Sequence, residues 1–422
     1  MTVTQKELGG RLRSARDAVG MTQEEAAARI GVSRPTLAQV EAGNRPASSL
    51  ELDRLAGIYG RDIRDFLAPQ FEEDEALRAL FRAEPGFESS ADLRDALLAW
   101  RNKGRALSNL EVLLELPQRL CTAAAYSVSL PATRWLAIEQ GEQVGEEERS
   151  RLGLGRAPLP GLADLLESQG VRTAVEELPD NVSGMTLLGR EQSPLIVLNS
   201  RHPPPRWRFS FAHEYAHVLL DRSRGGVVSR LEDRNEVKEI RANAFAAALL
   251  MPADGIRAFV QDLGKGSASR HTAQVYDEEG QAPVRVEGRA APRSQDLQMY
   301  DVIRIAEHYG VSRMAMIYRL KNLRLMTQPE LETLKAQEED RHTDEMAGVL
   351  GATPRAEPEP SSAFRRRFVG CLLEAYRRSL ISRGKLLELG GLIGLSRTEL
   401  EILEDVGGPS EQEMAGAGDS AA

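Results

Sequence analysis

Cysteine is scarce in this chain of 422 residues: only Cys121 and Cys371 are present, far apart and inside apolar helical patterns. Such a pair does not form a disulfide framework, so we expect two buried thiols. Long apolar runs are also missing, since no stretch reaches the roughly 18 residues of a membrane-spanning helix. The N-terminal sequence MTVTQKELGG lacks the apolar stretch of a secretory signal. We therefore expect a cytoplasmic protein without a membrane partner.

The chain also lacks an excess of positive charge. The chain has 54 Lys and Arg residues against 63 Asp and Glu residues, a net charge of −9. This excludes a protein that coats nucleic acid by bulk electrostatic attraction, so any DNA binding must be local. The 41% hydrophobic and 28% charged residues are typical of a globular protein, and the length exceeds what one core supports. We expect two or three domains.

Composition and periodicity divide the chain into parts. Short amphipathic helical patterns extend from the N-terminus to Pro69, and further helical patterns follow. Residues 142–160 are charged and then rich in Gly and Pro, which is typical of a domain boundary. Beyond it, a helix, three short strands and further helices predict an α+β core, interrupted by a long loop or irregular hairpin at 262–295. The predicted parts are a small helical domain (1–69), a helical connector (70–150), the α+β core with a following helical element (151–335), a linker (336–363), a small helical region (364–408) and a disordered tail (409–422).

The segment RWRFSFAHEYAHVLLD, residues 206–221, contains two histidines in an apolar helical pattern. His213 and His217 are four residues apart, so their imidazoles share one helix face and can reach one ion. Glu214, one step from the first histidine, is placed to accept a proton from a water molecule without being a ligand itself. A chance H-E-x-x-H is rare in a chain with six histidines, so the pattern predicts a catalytic zinc site rather than a core histidine with a satisfied hydrogen bond.

A zinc site needs a third protein ligand, and the helical segment NEVKEIRANAFAAALLMP supplies candidates. Steps of three and four residues place Glu239 on one face with Ala242, Asn243 and Ala246. Small side chains permit close helix packing, so a carboxylate on this face can approach the histidine helix. We choose Glu239 as the third ligand, and Glu236, about one turn earlier, is the reserve candidate.

Residues 161–252 resemble the ImmA/IrrE family of metallopeptidases. The likeness runs from a helix and short strands through RFSFAHEYAHVLL to EIRANAFAAALLMP, and it weakens beyond this range. The resemblance implies that Zn2+ is bound by His213, His217 and Glu239, and that Glu214 is the catalytic glutamate. Members of this family are thought to relieve transcriptional repression by cutting, or otherwise disabling, a repressor of the Xre type. This implies a repressor-type protein as substrate.

A second group of candidate functional residues lies in MTQEEAAARIGVSRPTLAQVEAGNRPASS, residues 21–49. Thr22 and Glu25 form a capping box that starts one helix. The turn Gly31-Val32-Ser33 ends it, and Pro35 lies near the start of a second helix. In a helix-turn-helix, the start of the second helix reads base edges in the major groove. The DNA-binding candidates are Ser33, Arg34, Thr36 and Gln39 on that helix, with Gln23 and Arg45 as phosphate contacts.

The charge of this helical domain is close to balanced. Residues 1–69 contain ten basic and nine acidic residues, a net charge of +1, which would also suit a helical hairpin without a ligand. However, the elements T-Q-E-E-A-A, G-V-S and V-E-x-G resemble the Xre/Cro repressor-type domain, which implies binding to operator DNA. Because the basic charge is weak, we expect a homodimer that binds paired half-sites.

Residues 296–326 repeat the helix-turn-helix pattern around Gly310-Val311-Ser312. This element is either a second DNA reader or, as the resemblance to the peptidase family favours, a structural or substrate-docking element. The helices after residue 364 have a similar texture and are assigned no chemistry, and Arg365, Arg366 and Arg367 are expected to be solvated. No residue is assigned to oxyanion stabilisation, for which His271 and Tyr276 in the long loop are candidates.

Together these patterns predict a multidomain protein with an all-α helix-turn-helix N-terminal domain, an α+β zinc metallopeptidase core with an H-E-x-x-H helix, and a helical C-terminal part. The leading interpretation is a zinc-dependent endopeptidase fused to a DNA-binding domain, which controls transcription by cleaving a repressor in a stress or mobile-element response. The alternative is a DNA-binding regulator whose metallopeptidase-like domain senses a ligand or partner without turnover. An antitoxin that binds its own promoter would fit the N-terminal domain but leave the metal site unexplained.

Overall fold

The structure is a computed structural model, and it describes residues 3–71, 91–116, 123–159, 161–189, 193–222, 225–266, 270–275, 284–289, 295–352 and 361–407. Cys121 and the predicted tail at 409–422 lie outside these residues. Within the described ranges, no helix combines the length and the apolar character needed to cross a membrane. Cys371 is a buried free thiol.

The N-terminal domain is built from α1 (Gln5–Ala18), α2 (Gln23–Ile30), α3 (Arg34–Glu41), α4 (Ser49–Ile58) and α5 (Ile63–Leu67). Capping boxes of the form Thr/Ser-x-x-Glu begin α1, α2 and α4. Gly31, at φ +77°, ends α2 in the left-handed region that glycine tolerates best. Ser33 then caps α3. The predicted helix-turn-helix is therefore present in α2 and α3.

Helices α1 and α3 are in backbone contact. A Cβ at Gly9 would lie 2.5 Å from the Val40 carbonyl oxygen, so the position requires glycine. Next to this contact, Arg16 of α1 donates to Glu41 of α3 at 2.7 Å, and both side chains are buried. A buried charge is costly unless it is paired, so this ion pair fixes the second helix of the motif on the domain core.

Helix α6 (Ala91–Leu113) joins the N-terminal domain to the rest of the protein. Its Asp95 accepts two hydrogen bonds from the Arg29 guanidinium, at 2.7 and 2.9 Å. Its buried Arg94 pairs with Glu25 at 3.3 Å. Both partners belong to α2, so these contacts leave the exposed start of α3 uncovered.

The central part contains a mixed sheet of β1 (Arg172–Glu176), β2 (Val182–Leu187), β3 (Leu195–Asn199) and β4 (Gly226–Arg230). The strand order is β1-β3-β2-β4, where β1 is parallel to β3, and β2 is antiparallel to both β3 and β4. Side chains alternate between the two faces: Ile196 and Leu198 face one apolar core, and Val197 faces another. The sequence predicted the first three strands but not β4.

The first core joins one face of the sheet to α7 (Arg134–Arg151), α8 (Leu162–Ser168), α9 (Pro204–Leu220), α10 (Val237–Leu250) and α11 (Ala253–Asp262). Helix α7 runs through the charged segment in which the sequence suggested a boundary, and it packs along α10. A Cβ at Gly141 would lie 2.3 Å from the Arg241 carbonyl oxygen, and one at Gly145 would lie 2.8 Å from the Ala248 Cβ. These glycines allow close helix packing, so α7 is part of the central core rather than of a separate connector.

After α11 the chain forms the antiparallel hairpin β5 (Arg270–Val275) and β6 (Val284–Arg289), followed by α12 (Met299–Tyr309), α13 (Arg313–Asn322), α14 (Gln328–Glu338) and α15 (Arg341–Val349). The turn between α12 and α13 repeats the N-terminal motif, with Gly310 at φ +64° and Ser312 as the cap. Arg319 of α13 is buried and donates to the Met251 carbonyl oxygen at 3.0 Å, so this element packs on the central core. Helix α15 forms where a linker was predicted, because Ala347 packs into the same core.

The second core lies on the other face of the sheet, where α6 meets α16 (Ser361–Arg377) and α17 (Arg383–Leu392). Helix α18 (Arg397–Gly407) packs against α16 and α17. Arg172 of β1 donates to Glu111 of α6 at 2.7 Å, and both residues are buried. Arg367 of α16 donates to the other oxygen of the same carboxylate, although the sequence suggested a solvated residue. This core is continuous with the core of the N-terminal domain.

Candidate metal centre and DNA-reading helix

Helix α9 carries both histidines and the glutamate between them. It begins with Pro204 and Pro205, which suit a first turn whose N–H groups have no partner within the helix. Tyr215 is fully buried, and its hydroxyl donates to Glu148 of α7 at 2.6 Å. Burial and the charge of Glu148 raise the pKa of Tyr215, so the phenol stays protonated. These contacts fix α9 between α7 and the sheet.

Three potential metal ligands meet between α9 and α10. His213, His217 and Glu239 each offer one ligand atom, and these atoms lie within 4.8 Å of one another. His213 Nε2 is 3.0 Å from Glu239 Oε2, and His217 Nε2 is 3.6 Å from Glu239 Oε1. The two imidazole rings are 5.1 Å apart between centroids and are inclined at 74°. The three residues are buried, with exposed fractions of 8%, 0% and 3%.

Further polar contacts orient both imidazole rings. His213 Nδ1 lies 3.0 Å from Asn243 Oδ1, and His217 Nδ1 lies 2.8 Å from Asp221 Oδ2. An oxygen acceptor at Nδ1 selects the neutral tautomer that carries its proton there, which leaves Nε2 as the ligand atom. Neither Asp221 nor Asn243 was predicted from the sequence as a site residue. The spacing of four residues between His217 and Asp221 is the signal that could have identified Asp221.

The residues present fit a zinc ion. Within the described residues, the buried atoms His217 Nε2 and Glu239 Oε1 have no hydrogen-bond partner, although buried polar atoms are normally satisfied. His213 faces oxygen atoms at both ring nitrogens, but a neutral imidazole has only one N–H to donate. A cation among these atoms would satisfy all three side chains. Two imidazole nitrogens and one carboxylate oxygen form a donor set typical of catalytic zinc, with a fourth position open.

Neighbouring charges favour the ionised forms of His217 and Glu239. Burial by itself would lower the pKa of His217, but the hydrogen bond with Asp221 and the neighbouring carboxylate charges outweigh it, and the pKa is raised. Burial would likewise raise the pKa of Glu239, but the hydrogen bond with His213 and the charge of His217 outweigh it, and this pKa is lowered. Because a histidine must be deprotonated to bind a metal, protons and metal ions compete for this group.

Glu214 lies in a cradle formed by β2 and is 1% exposed. Its Oε2 accepts a hydrogen bond from the Thr186 hydroxyl at 2.7 Å. Its Oε1 lies beside Gly184, where an added Cβ would be 3.0 Å away. Gly184 and Thr186 are two residues apart and therefore share one face of the strand. The sequence analysis did not identify this pair, because only the sheet brings it to the histidine helix.

The reserve ligand candidate, Glu236, is not part of the group formed by His213, His217 and Glu239. Glu236 flanks the start of α10, where it is exposed and 3.3 Å from the Lys238 ammonium. His271 is in β5, whose side chains are not described, and Tyr276 lies outside the described residues. Glu239 is therefore the carboxylate that meets the two histidines.

The start of α3 faces solvent. Arg34 and Gln39, predicted to read bases, are exposed. Thr36 is half-buried, and its hydroxyl lies 2.8 Å from the Ser33 hydroxyl, which also accepts from the Thr36 backbone N–H. Ser33 and Thr36 thus define the beginning of the helix, while Arg34 and Gln39 project from it.

The two predicted phosphate contacts have partners inside the domain. Gln23 donates to the buried Glu41 at 2.8 Å, which adds to the ion pair that Glu41 forms with Arg16. Arg45 pairs with Glu51 at 3.0 Å, and its side chain is 43% exposed. An exposed pair of this kind contributes little stability, so Arg45 can exchange it for a phosphate, whereas Gln23 supports the core.

Comparison with known families identifies both domains. Residues 7–67 match the helix-turn-helix domain family, and residues 166–278 match the family described as the IrrE N-terminal-like domain, within the M78 peptidases. The chain therefore carries a helix-turn-helix DNA-binding domain followed by an IrrE-like, metallopeptidase-like domain, which confirms the architecture expected from the two resemblances.

One relative aligns with part of the chain. It is a propionyl-CoA carboxylase regulator from Cereibacter sphaeroides, 25% identical over 271 residues. The alignment covers 58% of this chain and 57% of the relative. The chain thus spans a little over half of the relative's own length.

Proposed function

We propose that the protein is a zinc-dependent endopeptidase fused to a DNA-binding domain, which controls transcription by cleaving a repressor-type protein in a stress or mobile-element response. The observation that carries the proposal is the group of His213, His217 and Glu239, whose ligand atoms lie within 4.8 Å of one another. The match to the IrrE N-terminal-like domain supports the same chemistry.

Each residue of the proposed site has a separate task. His213, His217 and Glu239 would hold a zinc ion, which would provide a Lewis acid next to the peptide carbonyl and lower the pKa of a water molecule. Glu214 accepts a proton from the attacking water and returns it to the leaving amine. Thr186 donates to one oxygen of Glu214 and so fixes the plane of the carboxylate. The oxygen beside Gly184 is then the proton acceptor.

The DNA-binding part of the proposal rests on α3. Its exposed Arg34 and Gln39 are placed to read base edges, and Arg45 is placed to contact a phosphate. With a net charge of only +1 over residues 1–69, one copy has weak electrostatic attraction for DNA. We therefore propose a homodimer on paired operator half-sites.

A second candidate function is a DNA-binding regulator whose metallopeptidase-like domain senses a ligand or partner without turnover. Burial favours this candidate, because Glu214 is 1% exposed and His217 is 0% exposed. A peptide substrate has to displace covering residues before it reaches these side chains, whereas a sensor has no need of such access. The relative from Cereibacter sphaeroides is named a regulator.

The Glu214→Gln variant separates the two candidates. Glutamine keeps the size of the side chain and an oxygen for the Thr186 hydrogen bond, but it cannot accept the proton. The peptidase proposal predicts unchanged zinc content and operator binding, with formation of the cleaved fragment reduced by about 10²-fold or more. Proteomics of cells with either protein, metal analysis and a DNA-binding assay measure these three quantities.

Glu236→Gln is the matched control, because it makes the same chemical change at an exposed residue outside the ligand group. This control should cleave and regulate like the wild type. If cells with Glu214→Gln still produce the fragment and induce the controlled genes like wild-type cells, the peptidase proposal is wrong. Normal induction without any fragment in wild-type cells would favour the sensor.

A further inference from the structure

Asp221 connects the histidine helix to the helix that carries Glu239. It directly follows α9, four residues after His217, and is 4% exposed. Its Oδ2 accepts a hydrogen bond from His217 Nδ1 at 2.8 Å, and its Oδ1 accepts one from Arg241 Nη2 at 2.9 Å. Arg241 is 1% exposed and lies two residues after Glu239 on α10. The Asp221 carboxylate therefore links the proposed ligand His217 on α9 to α10, the helix that carries the proposed ligand Glu239.

This contact constrains the ring of His217. A neutral imidazole can carry its proton on either nitrogen, and the ring can rotate unless its neighbours hold it. Because an ionised carboxylate only accepts hydrogen bonds, the contact with Asp221 requires the proton to be on Nδ1. The lone pair is then on Nε2, which lies 3.6 Å from Glu239 Oε1.

Arg241 in turn holds Asp221 in place. Both side chains are almost fully buried, where an unpaired charge would be costly, so the pair has one favourable geometry. The backbone of Arg241 is itself fixed, since its carbonyl oxygen lies against Gly141 of α7. The position of the His217 ring is thus tied to the same segment of α10 that places Glu239.

We infer that Asp221, held by Arg241, is a positioning residue that sets the tautomer and direction of the His217 ring, and with them the spacing of two metal ligands. The inference rests on the proposed function and deepens it, because it assigns a residue that is not itself a metal ligand. Partners behind the ligands typically affect metal affinity as well as local stability. Metal affinity therefore distinguishes a positioning role from a purely structural ion pair.

Two substitutions of Asp221 in the full chain test this role. Asp221→Ala removes both hydrogen bonds, whereas Asp221→Asn keeps an oxygen that can accept the His217 Nδ1–H but loses the charge. Zinc affinity, measured by competition with a chromogenic chelator, should fall about 10- to 100-fold in Asp221→Ala and by a smaller, measurable factor in Asp221→Asn. Nitrogen NMR of isotope-labelled histidines in the metal-free protein, at a pH high enough for His217 to be neutral, should find its proton on Nδ1 in the wild type and divided between both nitrogens in Asp221→Ala.

Glu111→Gln is the matched control. Glu111 is buried and pairs with Arg172 at 2.7 Å on the opposite face of the sheet, so its loss disturbs a similar ion pair away from the metal group. This variant should have lower thermal stability and unchanged zinc affinity. If Asp221→Ala does not fold, Asp221→Asn decides the question by the same two measurements.

Unchanged zinc affinity in the folded Asp221 variants would overturn the positioning role and leave the proposed metal site standing. A wild-type protein that does not bind zinc would overturn both the inference and the zinc site. Loss of proteolysis in Glu214→Gln with unchanged zinc affinity tests the peptidase chemistry separately, so the two failures can be told apart.

Discussion

The substitution Gly141→Ala tests whether the metal group depends on the close packing of α7 against α10. A Cβ at residue 141 would lie 2.3 Å from the Arg241 carbonyl oxygen, 2.8 Å from the Ala244 Cβ and 2.9 Å from the Phe245 nitrogen. Ordinary contact of a Cβ begins at 3.4 Å, so the two helices have to separate by about 1 Å at this point. The displaced segment of α10 includes Arg241 and lies next to Glu239.

The size of the effect follows from two opposing terms. Adding a methyl group to a well-packed interior costs about 1–3 kcal/mol. Alanine in place of glycine within a helix returns about 1 kcal/mol through its higher helix propensity. Two of the three close neighbours are backbone atoms, which cannot rotate away, so the clash should cost about 2–3 kcal/mol, the upper part of its range. The net destabilisation is then about 1–2 kcal/mol. The shift of α10 should also weaken zinc binding.

Gly10→Ala is the control for this experiment, because Gly10 is in α1 and an added Cβ there meets nothing within 4 Å. This change should be neutral or stabilise the protein by up to about 1 kcal/mol. Thermal unfolding and zinc competition compare both variants with the wild type. A Gly141→Ala protein that is as stable as Gly10→Ala and binds zinc with wild-type affinity would refute the packing argument.

Three further predictions concern the metal and DNA sites. His213→Ala should lower zinc content well below the expected one ion per chain, because two ligands remain; metal analysis that finds the wild-type content contradicts the ligand assignment. Arg34→Ala or Gln39→Ala should weaken specific DNA binding by about 1–3 kcal/mol; titrations that retain full sequence preference would remove both from the recognition surface. Glu41→Ala removes the buried carboxylate that pairs with Arg16, which keeps its contacts with the half-exposed Asp17 and the Met21 carbonyl oxygen, both at 2.7 Å. This change should destabilise the N-terminal domain by up to about 3–5 kcal/mol, and an unchanged denaturation midpoint of that domain would argue against the pair.

Features that depend on neighbours in the sequence were predictable. The capping box of Thr22 and Glu25 is a local arrangement, and it starts α2 in the structure. The spacing of His213 and His217 places both side chains on one helix face without any tertiary information. Glu239 required a tertiary argument, and the small residues on its face supplied it, because alanines allow α10 to approach α9.

Features that depend on residues far apart in the sequence were not predictable. Gly145 lies in the segment 142–160, whose composition suggested a domain boundary, but together with Gly141 it serves the contact of α7 with α10. Asp221 and Arg241 are 20 residues apart in the sequence, and their ion pair links α9 to α10. No pattern in a single sequence indicates that these two side chains meet. Strand β4 has five residues, as β1 and β3 do, but it was not predicted from the sequence, and its pairing with β2 defines it.

The DNA-reading motif and the metal group belong to one packed body, and α6 is the element between them. On one side, Asp95 of α6 holds Arg29 of the first motif helix. On the other side, Glu111 of α6 holds Arg172 of β1, in the sheet that also supplies the Thr186 hydrogen bond to Glu214. The apolar core is continuous along this path. These contacts give the two parts a continuous physical connection, which a flexible tether would not provide.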